Sequence, residues 1–291
     1  MNGIKTRCSN INDVSALRNI WKSVFGCLGE DAFFRHFYDP ELCIVAEIDN
    51  VPVAAGYLVP FGEIVQINNT VPCAMIYSIA TLPEHRGLGL GSAVVGCLVD
   101  LAHKHNYPAV VLCPVEDRLF EYYSSRTNLH DWFYVKEFLS ISTPEQTHII
   151  PPEEITIREY ITKRNELLKG FIHIKHDMHV LEYQMMLCNE SGGGFFRIGD
   201  SYLIVERQSH DEVWIKELLI PGGGSCSITS DEIITKTVAS ISSKFRAGRY
   251  VVRVPAAAGE GRRFGMLSCT ETISCLSALS GTAPWYGVAF D

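Results

Sequence analysis

Apolar positions in the first half of the chain follow two different periods, which predict an alternation of strands and helices. Apolar runs rich in β-branched and aromatic residues predict strands, whereas apolar residues spaced three and four apart predict amphipathic helices. Strands are predicted at residues 4–8, 42–48, 53–60, 74–82, 109–115 and 132–141. Helices are predicted at residues 14–25, 31–38, 92–105 and 118–125. The predicted order is therefore β-α-α-β-β-β-α-β-α-β.

A second set of elements follows a proline-containing linker at residues 144–152, because prolines favour extended chain and interrupt helices. Helices are predicted at 161–168, 178–188 and 231–245, and strands at 195–198, 202–206, 213–220, 250–254 and 285–290. These elements recur in the order of the first half, namely three strands, a glycine segment, a helix and a strand. Since 291 residues exceed the common size of one domain, we expect an α/β fold in two domains, residues 1–145 and 146–291.

A glycine-rich segment joins the strand at 74–82 to the helix at 92–105. Pro83 ends the strand, and Arg86-Gly87-Leu88-Gly89-Leu90-Gly91-Ser92 leads into the helix. Unpaired amides at a helix N-terminus and the helix dipole favour an anion, and glycines allow it to approach the main chain. The spacing fits neither a P-loop nor the G-x-G-x-x-G dinucleotide motif. The segment nevertheless predicts a phosphate site.

The segment R-x-x-G-x-G after T-L-P-E-H resembles the signature of the GNAT superfamily of acyl-CoA-dependent N-acyltransferases, with Arg86, Gly89 and Gly91 at the signature positions. The predicted order of elements over residues 1–145 is also the one that GNAT domains share. The resemblance implies acetyl-CoA as co-substrate, with its pantetheine beside the strand that precedes the loop. The main-chain groups implied for pantetheine belong to Ile79, Ala80 and Thr81, and those for the diphosphate to Gly87, Leu88, Gly89, Leu90, Gly91 and Ser92.

Tyr123 is the catalytic acid that the resemblance implies. GNAT members carry the pattern L-F-x-Y-Y-x-x-x-G-F, and residues 119–123 keep its first part. A phenol is protonated at pH 7 and can donate a proton to the departing sulfur. Thr127 and Asn128 replace the Gly-Phe pair of the pattern. Tyr122 lies about 100° from Tyr123 around a helix, so the two rings cannot both face the thioester.

The general base stays open. The strand at 74–82 lacks a carboxylate where many GNAT members carry a glutamate, so the proton is expected to leave through water or through a residue from elsewhere. The candidate residues are Tyr77, Glu116, Asp117 and Asp291. The chain is also similar to two-domain acetyltransferases of the enhanced-intracellular-survival type, in which the C-terminus reaches toward the acceptor pocket. This similarity implies a degenerate second GNAT-like domain that shapes that pocket. Residues 221–227 lack the signature arginine, so we expect no CoA there.

Composition limits the classes of partner and the cellular location that we expect. A net charge of −8 argues against nucleic acid, and it is compatible either with attraction of a cationic amine or with an ordinary acidic surface. Ten scattered cysteines without a C-x-x-C pair indicate free thiols. The chain shows no signal segment and no apolar run that could span a membrane, so we expect a cytoplasmic protein. His173, His176 and His179 lack further ligands of a known metal pattern, so no metal is expected.

The function expected from the sequence is transfer of an acetyl group from acetyl-CoA to a primary amine of a small molecule or peptide. The alternative is a CoA-binding sensor or interaction module that has kept the fold without turnover, which the Thr127-Asn128 departure keeps open. The identity of the acceptor depends on loops and could depend on a second subunit of a homo-oligomer. A second arginine-containing segment, residues 259–265, is expected to be a solvated loop.

Overall fold

The computed structural model describes residues 4–66, 69–140, 149–221, 231–270 and 282–290. These residues form two compact units that interleave along the chain. The first unit comprises the chain up to Glu63, Val71–Asp131 and a stretch that begins at Gly265. The second comprises Ile64–Thr70, Trp132–Phe264 and the final stretch. The predicted boundary near residue 145 lies outside the described residues.

The first half of the chain follows the predicted order of elements. The strands and helices up to residue 124 are β1 (Lys5–Cys8), α1 (Val14–Phe25), α2 (Glu30–His36), β2 (Cys43–Ile48), β3 (Val51–Gln66), β4 (Asn69–Thr81), α3 (Leu90–Lys104), β5 (Ala109–Leu112) and α4 (Asp117–Ser124). The strands of the first unit are ordered β1-β2-β3-β4-β5. The mixed α/β class predicted from the sequence is confirmed.

Most of the later elements belong to the second unit. They are β6 (His130–Ser140), β7 (Glu153–Glu154), α5 (Ile157–Leu167), β8 (His173–Lys175), α6 (Met178–Ser191), β9 (Gly194–Ile198), β10 (Ser201–Ser209), β11 (Glu212–Leu219), α7 (Asp231–Lys244), β12 (Arg249–Pro255) and β13 (Arg262–Cys269). Strands β11 and β12 are parallel, as β4 and β5 are in the first unit. The sequence also predicts Ser230 as the N-cap of α7, and this residue lies outside the described residues.

Helix α3 is held on the first unit's sheet by one apolar face. Its buried residues are Leu90, Val94, Val95, Leu98, Leu101 and Ala102. Gly56 of β3 lies against them, since a Cβ at that position would come within 2.9 Å of the side chains of Val94 and Leu98. This close approach packs α3 directly onto β3.

Strand β4 bends before it reaches that end. Ser78 has φ of 48°, a left-handed conformation inside a strand. The parallel pairing of β4 with β5 runs from Cys73–Ala109 to Met75–Val111, whereas β4 continues to Thr81. The last residues of β4 thus extend past the paired section.

One strand of the first unit comes from late in the chain and was missed from the sequence. The prediction gave 259–265 as a solvated loop, and this is wrong for its second half, because β13 begins at Arg262. Beyond Gly265 this strand pairs antiparallel with β5, from Met266–Leu112 to Cys269–Ala109. The strand predicted at 132–141 forms as β6 but pairs with β12 in the second unit. The arginine at 262 forms an ion pair with Glu137.

The final stretch is buried in the second unit, but the strand predicted at 285–290 is wrong. Trp285 makes one parallel bridge to His173, with its amide donating to Ile172 and its carbonyl accepting from Ile174. Positive φ angles at Gly287 (81°) and Phe290 (59°) then prevent a regular extended strand.

A buried ion pair anchors this stretch. Nε of Arg164 lies 2.9 Å from a carboxylate oxygen of Glu217, and both side chains are almost completely buried. The hydroxyl of Tyr160 and the indole N–H of Trp285 donate to the same carboxylate. Glu217 thereby connects α5, β11 and the final stretch. Its pKa is lowered by the Arg164 charge and these hydrogen bonds, against the opposing effect of burial.

Candidate active site

The glycine loop forms as the sequence predicts. After β4 ends at Thr81, a short turn at Pro83–His85 leads to the loop, and α3 begins at Leu90. Gly87 and Gly89 have φ of 83° and 77°, a left-handed conformation that glycine adopts without the steric cost of a side chain. These two glycines turn the chain so that the helix starts at the mouth of a cavity.

The first turn of α3 presents main-chain donors without side-chain capping. The N-cap residue is Gly89, which has no side chain to accept from the first turn. Within the described part of the chain, no protein acceptor takes a hydrogen bond from the amides of Leu90, Gly91 or Ser92. Such amides and the positive end of the helix dipole bind anions. The arrangement suits a phosphate oxygen.

A cavity of about 350 Å³ opens in front of these amides. It is lined by Thr81, His85, Arg86, Gly87, Gly89, Leu90, Gly91, Tyr122 and Arg126. The glycine loop forms one wall and the second half of α4 with the residues that follow it forms the other. Two guanidinium groups, one on each wall, give the cavity a positive character. This character complements the phosphates of a nucleotide.

Arg86 lies at the junction of β4 and the loop. It is exposed, and its Nε lies 3.3 Å from the carbonyl oxygen of Thr81, to which it donates. The remaining guanidinium N–H groups leave it able to contact an anion in the cavity. Phosphate binding by this residue stays a prediction.

The two adjacent tyrosines of α4 have different environments. Tyr123 is 7% exposed and packs in the core of the first unit, where burial raises the pKa of its phenol above the ordinary value. Tyr122 is half-buried and lines the cavity, with its hydroxyl 2.7 Å from Oγ of Ser92. The structure therefore brings Tyr122, rather than the predicted Tyr123, to the glycine loop.

Thr127 lies just after α4, where the sequence departs from the GNAT pattern. Its hydroxyl donates to the carbonyl oxygen of Tyr123 over 2.7 Å and accepts from the amide of Leu129. These hydrogen bonds satisfy main-chain groups at the helix end that a glycine would satisfy by its left-handed conformation. The departure thus keeps a well-formed helix exit.

The residues expected to face pantetheine lie at the end of β4. Ala80 is buried, whereas Ile79 and Thr81 are half-buried, and Thr81 also lines the cavity. These three residues follow the bend at Ser78 and the section paired with β5. They lie next to the glycine loop, and their contact with pantetheine stays a prediction.

The candidate bases lie in several places. Tyr77 is half-buried and packs against the rings of Trp21 and Phe33. Glu116 is exposed and forms an ion pair with Arg118. Asp117 is exposed at the start of α4, and Asp291 lies outside the described residues. None of the three described candidates lines the cavity of about 350 Å³.

Sequence reasoning missed three residues that line this cavity. His85 precedes the signature arginine, and Tyr122 and Arg126 lie on the opposite wall. Arg126 follows Tyr122 by four residues, the helical spacing that brings two side chains together, and its guanidinium carbon lies 4.5 Å from the ring centroid. That spacing could have identified the pair, but not that it faces the loop.

The histidines considered for a metal have separate environments in the second unit. His173 is buried, with Nδ1 3.0 Å from the carbonyl oxygen of Phe171, and burial lowers its pKa to about 4. His176 is buried, and its Nε2 would lie 2.7 Å from a Cβ at Gly287. His179 is exposed, 3.7 Å from Glu182. The first two are part of the packed interior.

Comparison with known proteins agrees with this geometry. The sequence profile of the Acetyltransferase (GNAT) family matches residues 14–121, which include the glycine loop, α3 and most of α4. The chain contains a GNAT domain. Sequence comparison finds no match among curated proteins.

Solved structures extend the structural likeness from the matched domain to nearly the whole length of the chain. A GCN5-related N-acetyltransferase from Kribbella flavida is 13% identical, with a TM-score of 0.66 over 95% of this chain and 73% of that one. Eis1 from Mycobacterium abscessus is 11% identical, with a TM-score of 0.57 over 95% and 76%. A putative acetyltransferase from Pyrococcus horikoshii is 11% identical, with a TM-score of 0.57 over 97% and 94%. These likenesses concern the fold and confirm the predicted similarity to the two-domain type.

Among the helices of the described residues, none is both long enough and apolar enough to cross a bilayer.

Proposed function

We propose that this protein is an N-acetyltransferase that moves an acetyl group from acetyl-CoA to a primary amine. The observation that carries the proposal is the first turn of α3, whose amides open with Arg86 onto a cavity within the GNAT domain. A diphosphate on these amides would direct the pantetheine along the end of β4. Main-chain groups of Ile79, Ala80 and Thr81 can bind an extended chain as an added strand.

The proposed reaction is direct attack. The neutral amine nitrogen forms a bond to the thioester carbonyl carbon, and the bond from that carbon to sulfur breaks. The CoA thiolate takes a proton, and the nitrogen of the new amide loses one. The enzyme contributes by holding the two substrates together, which replaces an encounter in solution by a reaction between bound groups.

For the proton that the thiolate takes, we keep Tyr123 as the proposed donor. Its raised pKa keeps the phenol protonated at neutral pH, as a general acid requires. Because the ring is 7% exposed, donation requires that bound pantetheine reach it between β4 and α4. Tyr122 is the competing donor, since it already lines the cavity.

For the proton that the nitrogen loses, the proposed acceptor is the side chain of Asp291. The residue before it, Phe290, is buried and packs edge-on against Tyr183, with 4.8 Å between ring centroids. In this proposal the second domain binds no CoA and shapes the acceptor pocket.

The test combines binding with turnover. Acetyl-CoA at ~100 times its Kd should stabilise the protein by ~2.7 kcal/mol, which raises the melting temperature by a few degrees. Release of free CoA is then measured with a panel of small amines and N-terminal peptides. Tyr123→Phe should lower kcat at least tenfold and leave the Kd of acetyl-CoA within twofold, because the acid acts only in the chemical step.

Tyr122→Phe is the matched control for this experiment, since it removes a phenol hydroxyl from the next residue of the same helix. A kcat that falls with Tyr122→Phe and not with Tyr123→Phe would assign the acid to Tyr122. Asp291→Asn should lower turnover while leaving the affinity for acetyl-CoA unchanged. Unchanged turnover in this variant would contradict the proposed role of Asp291 as the base.

The second candidate function is a CoA-binding module without turnover. The burial of Tyr123 in the core favours it, because a phenol that stays there cannot reach a thioester. Binding of acetyl-CoA without CoA release from any amine of the panel, and with equal binding by the Tyr123→Phe variant, would support this candidate.

A further inference from the structure

The cavity in the GNAT domain has two cationic walls that belong to different elements. Arg86 lies on the loop side with the first-turn amides of α3. Arg126 follows α4 on the opposite side, where its guanidinium carbon is 4.5 Å from the centroid of the Tyr122 ring. The Tyr122 hydroxyl in turn contacts Ser92 in the first turn of α3. The Tyr122 side chain therefore contacts both the Arg126 guanidinium and the first turn of α3.

Coenzyme A carries two separate anionic groups near its adenosine. The diphosphate is attached at the 5′ carbon of the ribose and a phosphomonoester at the 3′ carbon. A phosphomonoester has a charge of about −1.5 to −2 at pH 7, with a second pKa near 6. Because the groups leave the ribose at different carbons, one cradle of amides cannot hold both. A protein that recognises the 3′-phosphate therefore needs a second cationic side chain.

The loop wall already suits the diphosphate. The amides of Leu90, Gly91 and Ser92 converge at the positive end of α3, and Arg86 adds one permanent charge beside them. These amides can donate hydrogen bonds to diphosphate oxygens that lie near the helix axis. The charge on the other wall is then available for the second anion.

The guanidinium of Arg126 is oriented for such a contact. Its Nη1 donates to Oγ of Ser125 over 2.9 Å and to the carbonyl oxygen of Tyr122 over 3.3 Å. Both bonds use the same nitrogen, so Nε and Nη2 keep their N–H groups for a phosphate. Stacking on the Tyr122 ring reduces the side-chain freedom that binding would otherwise remove. A guanidinium donates two parallel hydrogen bonds to a phosphate, which a lysine cannot do.

From this arrangement we infer that Arg126 binds the 3′-phosphate of coenzyme A and makes the protein selective for CoA over 3′-dephospho-CoA. The inference rests on the proposed function in one respect, that the diphosphate occupies the first turn of α3. Tyr122 is then a positioning residue, because its ring stacks against the Arg126 guanidinium.

The experiment measures the Kd of CoA and of 3′-dephospho-CoA by isothermal titration calorimetry, without an acceptor, for four proteins. These are the wild type, Arg126→Ala, Arg86→Ala and Arg118→Ala. Arg118 is the matched control, because it is an exposed arginine on α4 that pairs with Glu116 and does not line the cavity.

The wild type should bind CoA about tenfold more tightly than 3′-dephospho-CoA, as expected for one charge-assisted contact at an exposed position. Arg126→Ala should lose about five- to tenfold in affinity for CoA and less than twofold for 3′-dephospho-CoA. Arg86→Ala should weaken both ligands equally, and Arg118→Ala neither. The selectivity of the wild type should shrink below pH 6, where the 3′-phosphate loses its second charge.

Equal losses for both ligands in Arg126→Ala would place this arginine on the diphosphate and overturn the inference. No loss for either ligand would overturn it as well. Failure of the wild type to bind CoA at all would overturn the proposed function together with the inference. Selective binding without acetyl transfer would sustain the inference and count against the enzyme.

Discussion

The hydroxyl of Tyr122 and Oγ of Ser92 lie 2.7 Å apart, so a hydrogen bond joins α4 to the first turn of α3. This bond connects the two walls of the cavity. It also places the Tyr122 ring next to Gly91, where a Cβ would lie 3.6 Å from the hydroxyl. The geometry of the anion site therefore depends on a contact between two elements that are separated by β5.

Removing either partner of this bond should cost stability. We expect Tyr122→Phe and Ser92→Ala each to lower the free energy of unfolding by about 0.5–1.5 kcal/mol, measured in urea. The double variant should lose about as much as one single variant, because the bond is shared. Ser124→Ala is the control, since its exposed hydroxyl donates to the Glu121 carbonyl of the same helix. Fully additive losses would show that the two hydroxyls do not interact.

How far the sequence predicts this site depends on where its residues lie. Arg86, Gly89 and Gly91 follow one another in a motif, and local chain geometry alone places them at the start of α3. The opposite wall depends on how α4 packs, which neither the motif nor the helical period specifies. For this reason the sequence identifies the tyrosine pair but not which ring faces the cavity. In the structure, Tyr122 lines the cavity and Tyr123 packs in the core.

The fold shows the same division. The order of elements in the first half follows from local patterns and is confirmed. The partner of β5 is β13, about 150 residues later in the chain, and no local pattern encodes a pairing over such a distance. The final stretch is apolar enough for a strand, but left-handed residues at positions 287 and 290 break it, and these depend on the packing around Glu217.

The buried ion pair should be costly to break from one side. Glu217→Gln leaves Arg164 charged and buried, so we expect a loss of about 3–5 kcal/mol in the free energy of unfolding. Glu166→Gln, which breaks an exposed pair with Lys163, should cost less than about 1 kcal/mol. Chemical denaturation compares the two. Because a combined Arg164→Met and Glu217→Gln variant leaves no unpaired charge, it should be more stable than Glu217→Gln alone; equal effects of the two single glutamine variants would contradict this account.

Gly287 should tolerate no side chain. It has φ of 81°, and a Cβ would lie 2.4 Å from Nη2 of Arg164 and 2.7 Å from Nε2 of His176. Gly287→Ala should therefore cost about 2–5 kcal/mol, from strain of the left-handed conformation and from overpacking. Gly199→Ala provides the control, because its φ is 57° and its Cβ would meet nothing within 4 Å. If thermal unfolding shows the same small loss in both variants, the packing around Gly287 is looser than described.

His173 should make stability depend on pH in the acidic range. Burial lowers its pKa from 6.5 to about 4, so between these values the unfolded chain binds a proton that the folded protein does not. Stability should consequently fall as the pH falls from 6.5 to 4, by up to about 3 kcal/mol from this residue. His173→Asn can keep a donor to Phe171 and should remove that part of the slope. A wild-type and variant difference that is constant between pH 7 and 4 would contradict the assignment.

The most direct test of the central claim is a crystal structure of the protein with coenzyme A bound. The diphosphate oxygens should lie within about 2.7–3.2 Å of the amide nitrogens of Leu90, Gly91 and Ser92, with the Arg86 guanidinium beside them. A nucleotide bound elsewhere, or a diphosphate that leaves these three amides without contact, would contradict the account.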